Sequence, residues 1–299
     1  MPKASTSATC DPAALRRALQ RWYRANGRHA LPWRLTRDPY AVLVSEVMLQ
    51  QTQVDRVLPH YRSWLQRWPA FQALAGALPA EVIRQWRGLG YNRRALNLHR
   101  LAVAVVEQHG GEVPRNAASL RALPGVGPYT AAAILSFAHE EPVVVADTNI
   151  ARVLARVLLG AAAARDVSPA AISGAAAELL PRRGARDHNL ALMDLGALVC
   201  TARSPRCEAC PLAGVCAWRA SGRPALLAAR SAVPKFESTA RFARGRIVDR
   251  LRESPASELE LVAALPAPHR PKLRAYLAAL ENEGLIAGTR GSWSLPGAG

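Results

Sequence analysis

Cys200, Cys207, Cys210 and Cys216 are separated by six, two and five residues. Four thiolates gathered in so short a segment can hold a structural zinc ion or an iron–sulfur cluster, and the physics of ligation does not choose between them. The fifth cysteine, Cys10, stands apart, so the four read as metal chemistry in a reducing compartment and not as a disulfide framework. A second chemical signal is Glu46, set inside the apolar run Val42-Leu43-Val44-Ser45-Glu46-Val47-Met48-Leu49. A helix so apolar is buried on most sides, and burial raises the pKa of a carboxyl group toward the range of a general acid. The plainer alternative puts Glu46 on the one exposed stripe of that helix, and the sequence leaves the two level. Asp147-Thr148-Asn149 follows the apolar Val143-Val144-Val145. Helix capping by Asp or Thr accounts for it without excluding catalysis. Finally, Leu123-Pro124-Gly125-Val126-Gly127-Pro128-Tyr129-Thr130 joins two short helices through a glycine turn. Outward amides there, with Pro128 suited to the first helical turn, would offer a site to a phosphate oxygen. Taken alone, that turn is a plain tight connection.

Helices must carry these groups. Aromatics make up 6% of the chain, and Ala and Leu fill the apolar positions where a sheet protein would show Val, Ile, Tyr and Thr, so a mostly α protein is expected. Helical spacing and start signals predict helices over 11–26, 38–50, 57–67, 71–74, 80–87, 93–108, 116–123, 129–139, 147–159, 168–180 and 189–199, with 143–145 extended. Breaks fall at Pro69, Pro79, Gly88-Leu89-Gly90 and Gly110-Gly111. Residues 223–238, rich in Ala, Arg, Pro and Ser, read as a linker after a core at 11–222. Residues 239–299 follow with helices near 240–252, 257–264 and 268–283 and a terminal hairpin at 285–295, the pattern of a winged helix. Arg270 and Arg274 share a face of the last of these helices.

A chain of 299 residues has room for two or three compact units. With 50% apolar and 20% charged residues, it is neither globally disordered nor a disulfide scaffold. The net charge of +17 is almost all arginine, since lysine occurs only at Lys3, Lys235 and Lys272. Such an excess points to a polyanion, nucleic acid above all, although it also fits a merely solvated surface. No signal-peptide core opens the chain, and no run approaches the roughly 18 apolar residues of a membrane span, so a cytoplasmic protein without membrane contact is expected.

Taken together these motifs resemble a known family, the helix–hairpin–helix DNA glycosylases, and within it the adenine DNA glycosylases of the MutY type. The resemblance runs from about residue 15 to 218. It rests on Leu31-Pro32-Trp33-Arg34, Ser45-Glu46-Val47-Met48-Leu49-Gln50-Gln51-Thr52-Gln53-Val54, Gly88-Leu89-Gly90-Tyr91, the turn at 124–130, Asp147-Thr148-Asn149, Met193-Asp194-Leu195-Gly196 and the cysteine spacing. The resemblance implies a two-lobed core, with a six-helix lobe at about 36–142 and a cluster lobe from 11–35 and 143–222. It implies a [4Fe–4S] cluster on the four cysteines, not zinc. Glu46 matches the acid that protonates adenine, Asp147 the aspartate that stabilises the sugar cation, and Tyr129 and Asn149 supporting residues. Gln51 and Tyr91 match residues inserted into the duplex, and Arg34 a contact to the extruded adenine. Thr52, Leu89, Gly125, Val126 and Gly127 fall in motifs that meet DNA. Asn92 stands where a second Tyr is usual, and Thr148 where Gly is frequent. The residues after Ser238 look too few for the Nudix-like domain that family members use to read 8-oxoguanine.

The partner implied is duplex DNA with an adenine mispair, bound by a monomer in the cytoplasm, nucleoid-associated in a prokaryote, with water the only cosubstrate. The helix after the glycine turn carries Tyr129 where a glycosylase-lyase would place its lysine, so a monofunctional enzyme is expected. Two alternatives remain: a sister enzyme acting on mismatched thymine or a damaged pyrimidine, and a non-enzymatic iron–sulfur DNA-binding regulator.

Overall fold

The computed structural model describes residues 11–222, 235–289 and 291–297. Helix α1 (Pro12–Asn26) opens on Asp11, whose carboxylate accepts the amides of Ala13 and Ala14, with Pro12 in the first turn. A 3-10 turn at Pro32–Arg34 leads to α2 (Pro39–Leu49), capped in the same way by Asp38. Every residue from Tyr40 to Met48 is buried, as the unbroken apolar run requires. Around it lie α3 (Val54–Arg67), α4 (Phe71–Ala75), α5 (Pro79–Gln85) and α6 (Arg93–His109). Trp64 packs edge-on against both Trp68 and Trp86, with ring centroids at 4.7 and 5.5 Å. Next come α7 (Ala117–Ala122) and α8 (Pro128–Phe137), which flank the glycine turn.

The chain continues through α9 (Thr148–Val157), α10 (Pro169–Leu179), α11 (Ala185–Leu198) and the short α12 (Ala217–Ala220). Residues 143–145 belong to no helix or strand. The C-terminal elements are α13 (Ala240–Glu253), β1 (Ala256–Ser257), α14 (Glu258–Ala263), α15 (Leu273–Asn282), β2 (Ala287–Thr289) and β3 (Ser292–Ser294). The sheet is antiparallel in the order β1-β3-β2, with Trp293 opposite Ala256 on one side and Gly288 on the other. This is the element order of a winged helix.

Two expectations change here. The helix anticipated over 268–283 is split, because Pro271 leaves no amide to donate and crowds the preceding turn; residues Ala267–Lys272 form a 3-10 segment and α15 starts only at Leu273. The face shared by Arg270 and Arg274 is lost with it. Arg270 instead donates to the Leu265 carbonyl at 2.9 Å, and Arg274 lies 3.5 Å from Glu258. The two-residue strand β1 was too short to leave a pattern in the sequence. Most of the anticipated linker, residues 223–234, lies outside the described residues, and its end forms a 3-10 turn at Phe236–Ser238.

The chain divides into two compact units, Met1–Arg37 with Ala131–Ala229, and Asp38–Thr130 with Arg230–Gly299. In the first, α1, α9, α10 and α11 pack together, burying Leu19, Val153, Leu154, Ala191 and Leu195 almost completely. In the second, the C-terminal elements share one apolar core with the helices before them. Ala80 and Ile83 of α5 and Leu96 of α6 join Ile247, Val248 and Leu251 of α13 and Leu277 of α15.

Candidate active site

Glu46 is 8% exposed and lies three-quarters of the way along α2. Burial thus decides between the two readings of this residue: it is not on an exposed stripe. The hydroxyl of Tyr129, in the first turn of α8, donates to its Oε2 at 2.8 Å. A carboxyl in such a place is costly unless it is protonated or hydrogen-bonded, and the tyrosine hydroxyl supplies one bond without bringing a full charge.

Asp147 lies in the other unit and in another setting. It is the N-cap of α9, where its Oδ1 accepts the Ile150 amide at 2.6 Å and its Oδ2 accepts Asn149 Nδ2 at 2.9 Å. The carboxylate thus takes one helix-end amide and one side-chain amide. Asn149 is held in turn by Arg152, whose Nη2 donates to its Oδ1 at 2.8 Å and to the Gly196 carbonyl at 2.7 Å. Gly196 allows α11 this approach: a Cβ there would sit 2.7 Å from Asn149 Cβ and 2.9 Å from its carbonyl oxygen. The pair Asp147 and Asn149 is thereby fixed by backbone as well as by side chains.

Gln51 and Tyr91 are two of three non-glycine residues with positive φ among the described residues, at +54° and +46°. Both are exposed, at the tips of turns after α2 and before α6. Backbone strain of this kind costs about 1–3 kcal/mol per residue and gathers at functional sites. One buried side chain holds both turns. Arg94 Nη1 donates to the carbonyls of Val47, Met48 and Gln50 at 2.8, 3.1 and 2.6 Å, and Nη2 to those of Leu89 and Gly90 at 3.0 and 3.1 Å. Burial lowers its pKa to about 10, still leaving it charged at neutral pH.

Four expected contacts are placed differently. Leu89 is 3% exposed, so it offers its carbonyl to Arg94 and not its side chain to a ligand. Thr52 Oγ1 donates to the Gln50 carbonyl at 3.2 Å and accepts from Arg94 Nη2 at 3.2 Å, tying the two turns together. Val126 is buried and its amide donates back to the Leu123 carbonyl, which takes it out of the outward-facing set. Gly125, at φ +78°, makes the turn against Asn97, whose Cβ would be 2.9 Å from an added methyl, and Gly127 is open on that side. Arg34 departs furthest. Its Nη1 and Nη2 hold Asp194 at 2.5 and 2.7 Å, and its side chain is 6% exposed. Burial alone would raise the Asp194 pKa, but the bonds and charges of Arg34 and Arg28 outweigh it and keep the group ionised. Arg34 therefore anchors α11 and is not free to reach a base.

Cys200, Cys207, Cys210 and Cys216 line one internal cavity together with Arg156 and Trp218. Four sulfurs around a space suit a polynuclear cluster. Burial pushes the Cys210 thiol up to about 11 and raises Cys216 as well, so thiolates here need compensating positive charge. Arg156, 1% exposed and stacked 5.0 Å over Trp218, points Nη1 at Cys200 Sγ at 3.4 Å and holds the carbonyls of Thr201 and Ala202.

Residues 44–173 match the model of the HhH-GPD superfamily of base excision DNA repair proteins, and residues 200–216 match the iron–sulfur binding domain of endonuclease III. The adenine DNA glycosylase of Mycolicibacterium smegmatis is 44% identical over 282 residues, covering 93% of this chain and 94% of that one. The chain belongs to the adenine DNA glycosylase family. The human adenine DNA glycosylase is 45% identical over 69% of this chain and 39% of its own length. Among solved structures, a thermostable thymine-DNA glycosylase superposes with TM-score 0.65 at 31% identity, over 70% of this chain and 97% of that one. Endonuclease III trapped on DNA gives TM-score 0.60 at 22% identity over 72% of this chain and all of that one, a likeness of fold. The cofactor is accordingly the [4Fe–4S] cluster of this family.

Sequence reasoning missed the arginines that hold this adenine glycosylase fold together. Arg94, Arg152, Arg156 and Arg186 donate to backbone carbonyls, with Arg186 bonding those of Phe137 and Arg34 at 3.1 and 2.7 Å. Arg152 and Arg156 stand one helical turn apart on α9, and Arg152 also donates to the Cys200 carbonyl at 2.8 Å. That spacing was a readable signal. Part of the basic excess is thus internal scaffold and not surface for a polyanion.

Proposed function

We propose that this chain removes adenine paired with 8-oxoguanine or guanine in duplex DNA, by hydrolysis of the N-glycosidic bond. The observation that carries this reading is the buried Glu46 carboxyl with the Tyr129 hydroxyl on Oε2. An adenine in the stack cannot meet a buried acid, so the nucleotide must be extruded, with Gln51 and Tyr91 filling the gap. Protonated Glu46 donates to adenine N7 as the C1′–N9 bond breaks and the electron pair leaves with the base. Ionised Asp147, oriented by Asn149, stabilises the positive sugar. Water then adds to C1′, and the proton it loses restores the acid. This is the division of labour between two carboxyl groups that glycoside hydrolysis uses.

Cys200, Cys207, Cys210 and Cys216 are the proposed cluster ligands, with Arg156 supplying charge beside them. The cluster would hold the loop at 200–216 and, through Cys200 and Arg152, the start of α9. Tyr129 in place of a lysine supports a monofunctional enzyme that leaves an intact abasic site. The likeness to a thymine-DNA glycosylase keeps one competitor in view. Base release from duplexes with A opposite 8-oxoguanine, G or C, and T opposite G, followed by alkali cleavage, separates the two. Release of adenine opposite 8-oxoguanine or G is expected. Release of thymine alone would overturn the assignment.

A further inference from the structure

Tyr91 is held on two sides. Arg94 lies with its guanidinium carbon 5.5 Å from the ring centroid, and Arg241 of α13 lies at 4.8 Å. Arg241 Nη1 also donates to the Tyr91 hydroxyl. The same guanidinium sits 4.8 Å from the ring of Phe236, which is 49% exposed and packs edge-on against Phe242. Planar cations over aromatic faces are attractive and fix ring orientation, because the guanidinium both stacks and donates. The backbone of Tyr91, at φ +46°, is in a region a tyrosine visits rarely, so its neighbours must keep it there.

The segment after Tyr91 is tied to the same helix. Asn92, the residue standing where the family usually has tyrosine, accepts Arg252 Nη2 on its Oδ1 at 2.8 Å. Arg252 is 5% exposed and donates Nε to the Ile83 carbonyl at 3.0 Å, while Arg84 Nε reaches the Arg252 carbonyl at 3.3 Å. With the shared core of α5, α6 and α13 beneath, the turn at 88–92 and α13 belong to one compact unit. Arg241 is therefore built onto the turn and does not hang from a tethered domain.

We propose that Arg241 is a positioning residue for duplex insertion: α13 holds the Tyr91 ring in its raised orientation, with Phe236 behind the guanidinium. The proposal rests on the reading that Tyr91 enters the duplex. It gives the C-terminal elements a task in extruding the adenine. A residue of this kind acts through Tyr91, so removing it matters only while Tyr91 is present.

The test uses the full-length, cluster-loaded protein with Arg241→Ala, Arg241→Lys, Tyr91→Ala and the double variant. Duplexes carry A opposite G with 2-aminopurine beside the adenine, so that fluorescence reports unstacking and a quench-flow assay reports single-turnover excision. Arg241→Ala is expected to lower both the fluorescence rise and the excision rate by about tenfold, with the melting temperature and cluster absorbance unchanged. Arg241→Lys, which keeps the charge but not the plane, should rescue little. The double variant should be no slower than Tyr91→Ala, and a target adenine opposite an abasic site, already unstacked, should be excised by Arg241→Ala at nearly the normal rate. If Tyr91→Ala alone has no effect, the insertion reading itself is wrong. If Tyr91→Ala is slow while Arg241→Ala matches the normal protein, or if the two losses multiply in full, Arg241 does not act through Tyr91 and the inference is overturned.

Discussion

Glu46 and Asp147 are both carboxyl groups, yet their surroundings are opposite in kind. Glu46 sits in a helix buried from Tyr40 to Met48, where the Tyr129 hydroxyl donates to its Oε2. Asp147 caps a helix, takes an amide N–H on each oxygen, and stands above a relay from Asn149 to Arg152 to Cys200. Glu46 thus lies in a helix interior and Asp147 at a helix terminus, the two kinds of place that the proposed acid and ionic stabiliser would need.

Substitutions that preserve shape break this contrast most directly. Glu46→Gln should lower the single-turnover excision rate by about 10³-fold with duplex affinity little changed, since the proton donor is lost and the volume kept. Asp147→Asn should lower it by about 10²–10³-fold, because an amide caps the helix but carries no charge. Rates near normal in either variant would contradict the two-carboxyl mechanism. A smaller loss should follow from Gly196→Ala. The added methyl, 2.7 Å from Asn149 Cβ, must push α9 away, costing about 1–3 kcal/mol of stability and slowing excision up to about 10²-fold. Calorimetry and quench-flow together check it, and an unshifted melt would show that α9 yields without cost. Tyr129→Phe removes the hydroxyl that bonds Oε2 and keeps the ring, so a loss of about tenfold or less is expected in the same kinetic assay. A loss as large as that of Glu46→Gln would give Tyr129 a part in proton transfer that one hydrogen bond does not explain.

Much of this site was legible because its residues sit in runs with one physical reading. The apolar stretch around Glu46 predicted a buried helix, and the helix is buried. The four close cysteines predicted a metal group, and they line one cavity. Asp147 before α9 is the helix cap that the plain reading expected. What stayed hidden depends on partners far along the chain. Nothing local tells an arginine bonded to carbonyls, such as Arg94 or Arg252, from one awaiting a phosphate. The resemblance matches Arg34 to a contact with the extruded adenine, whereas in the structure it holds Asp194, 160 residues further along the sequence. In the C-terminal elements a local signal, Pro271, was present and outweighed by the longer helical pattern around it.

The gentlest way to sharpen the comparison is acid, which loads the scaffold of the Asp147 unit through a buried histidine. His188 lies on α11, the helix that also carries Asp194 and Gly196, and is 1% exposed with neither ring nitrogen bonded. Burial first, and the charge of Arg16 second, lower its pKa from 6.5 to about 4. The folded state therefore holds this ring neutral where the unfolded chain would protonate it. Its contribution to stability is complete above pH 6.5 and is lost as pH falls from there toward 4. Between about pH 7.5 and pH 5 this one group should cost roughly 2 kcal/mol of unfolding free energy. His188→Met, similar in volume and without a proton to bind, should lose less over the same interval and be the more stable of the two at about pH 5. Urea unfolding at the two pH values, on cluster-loaded protein, reads this difference. Equal losses in both proteins would mean that the acid response comes from other groups.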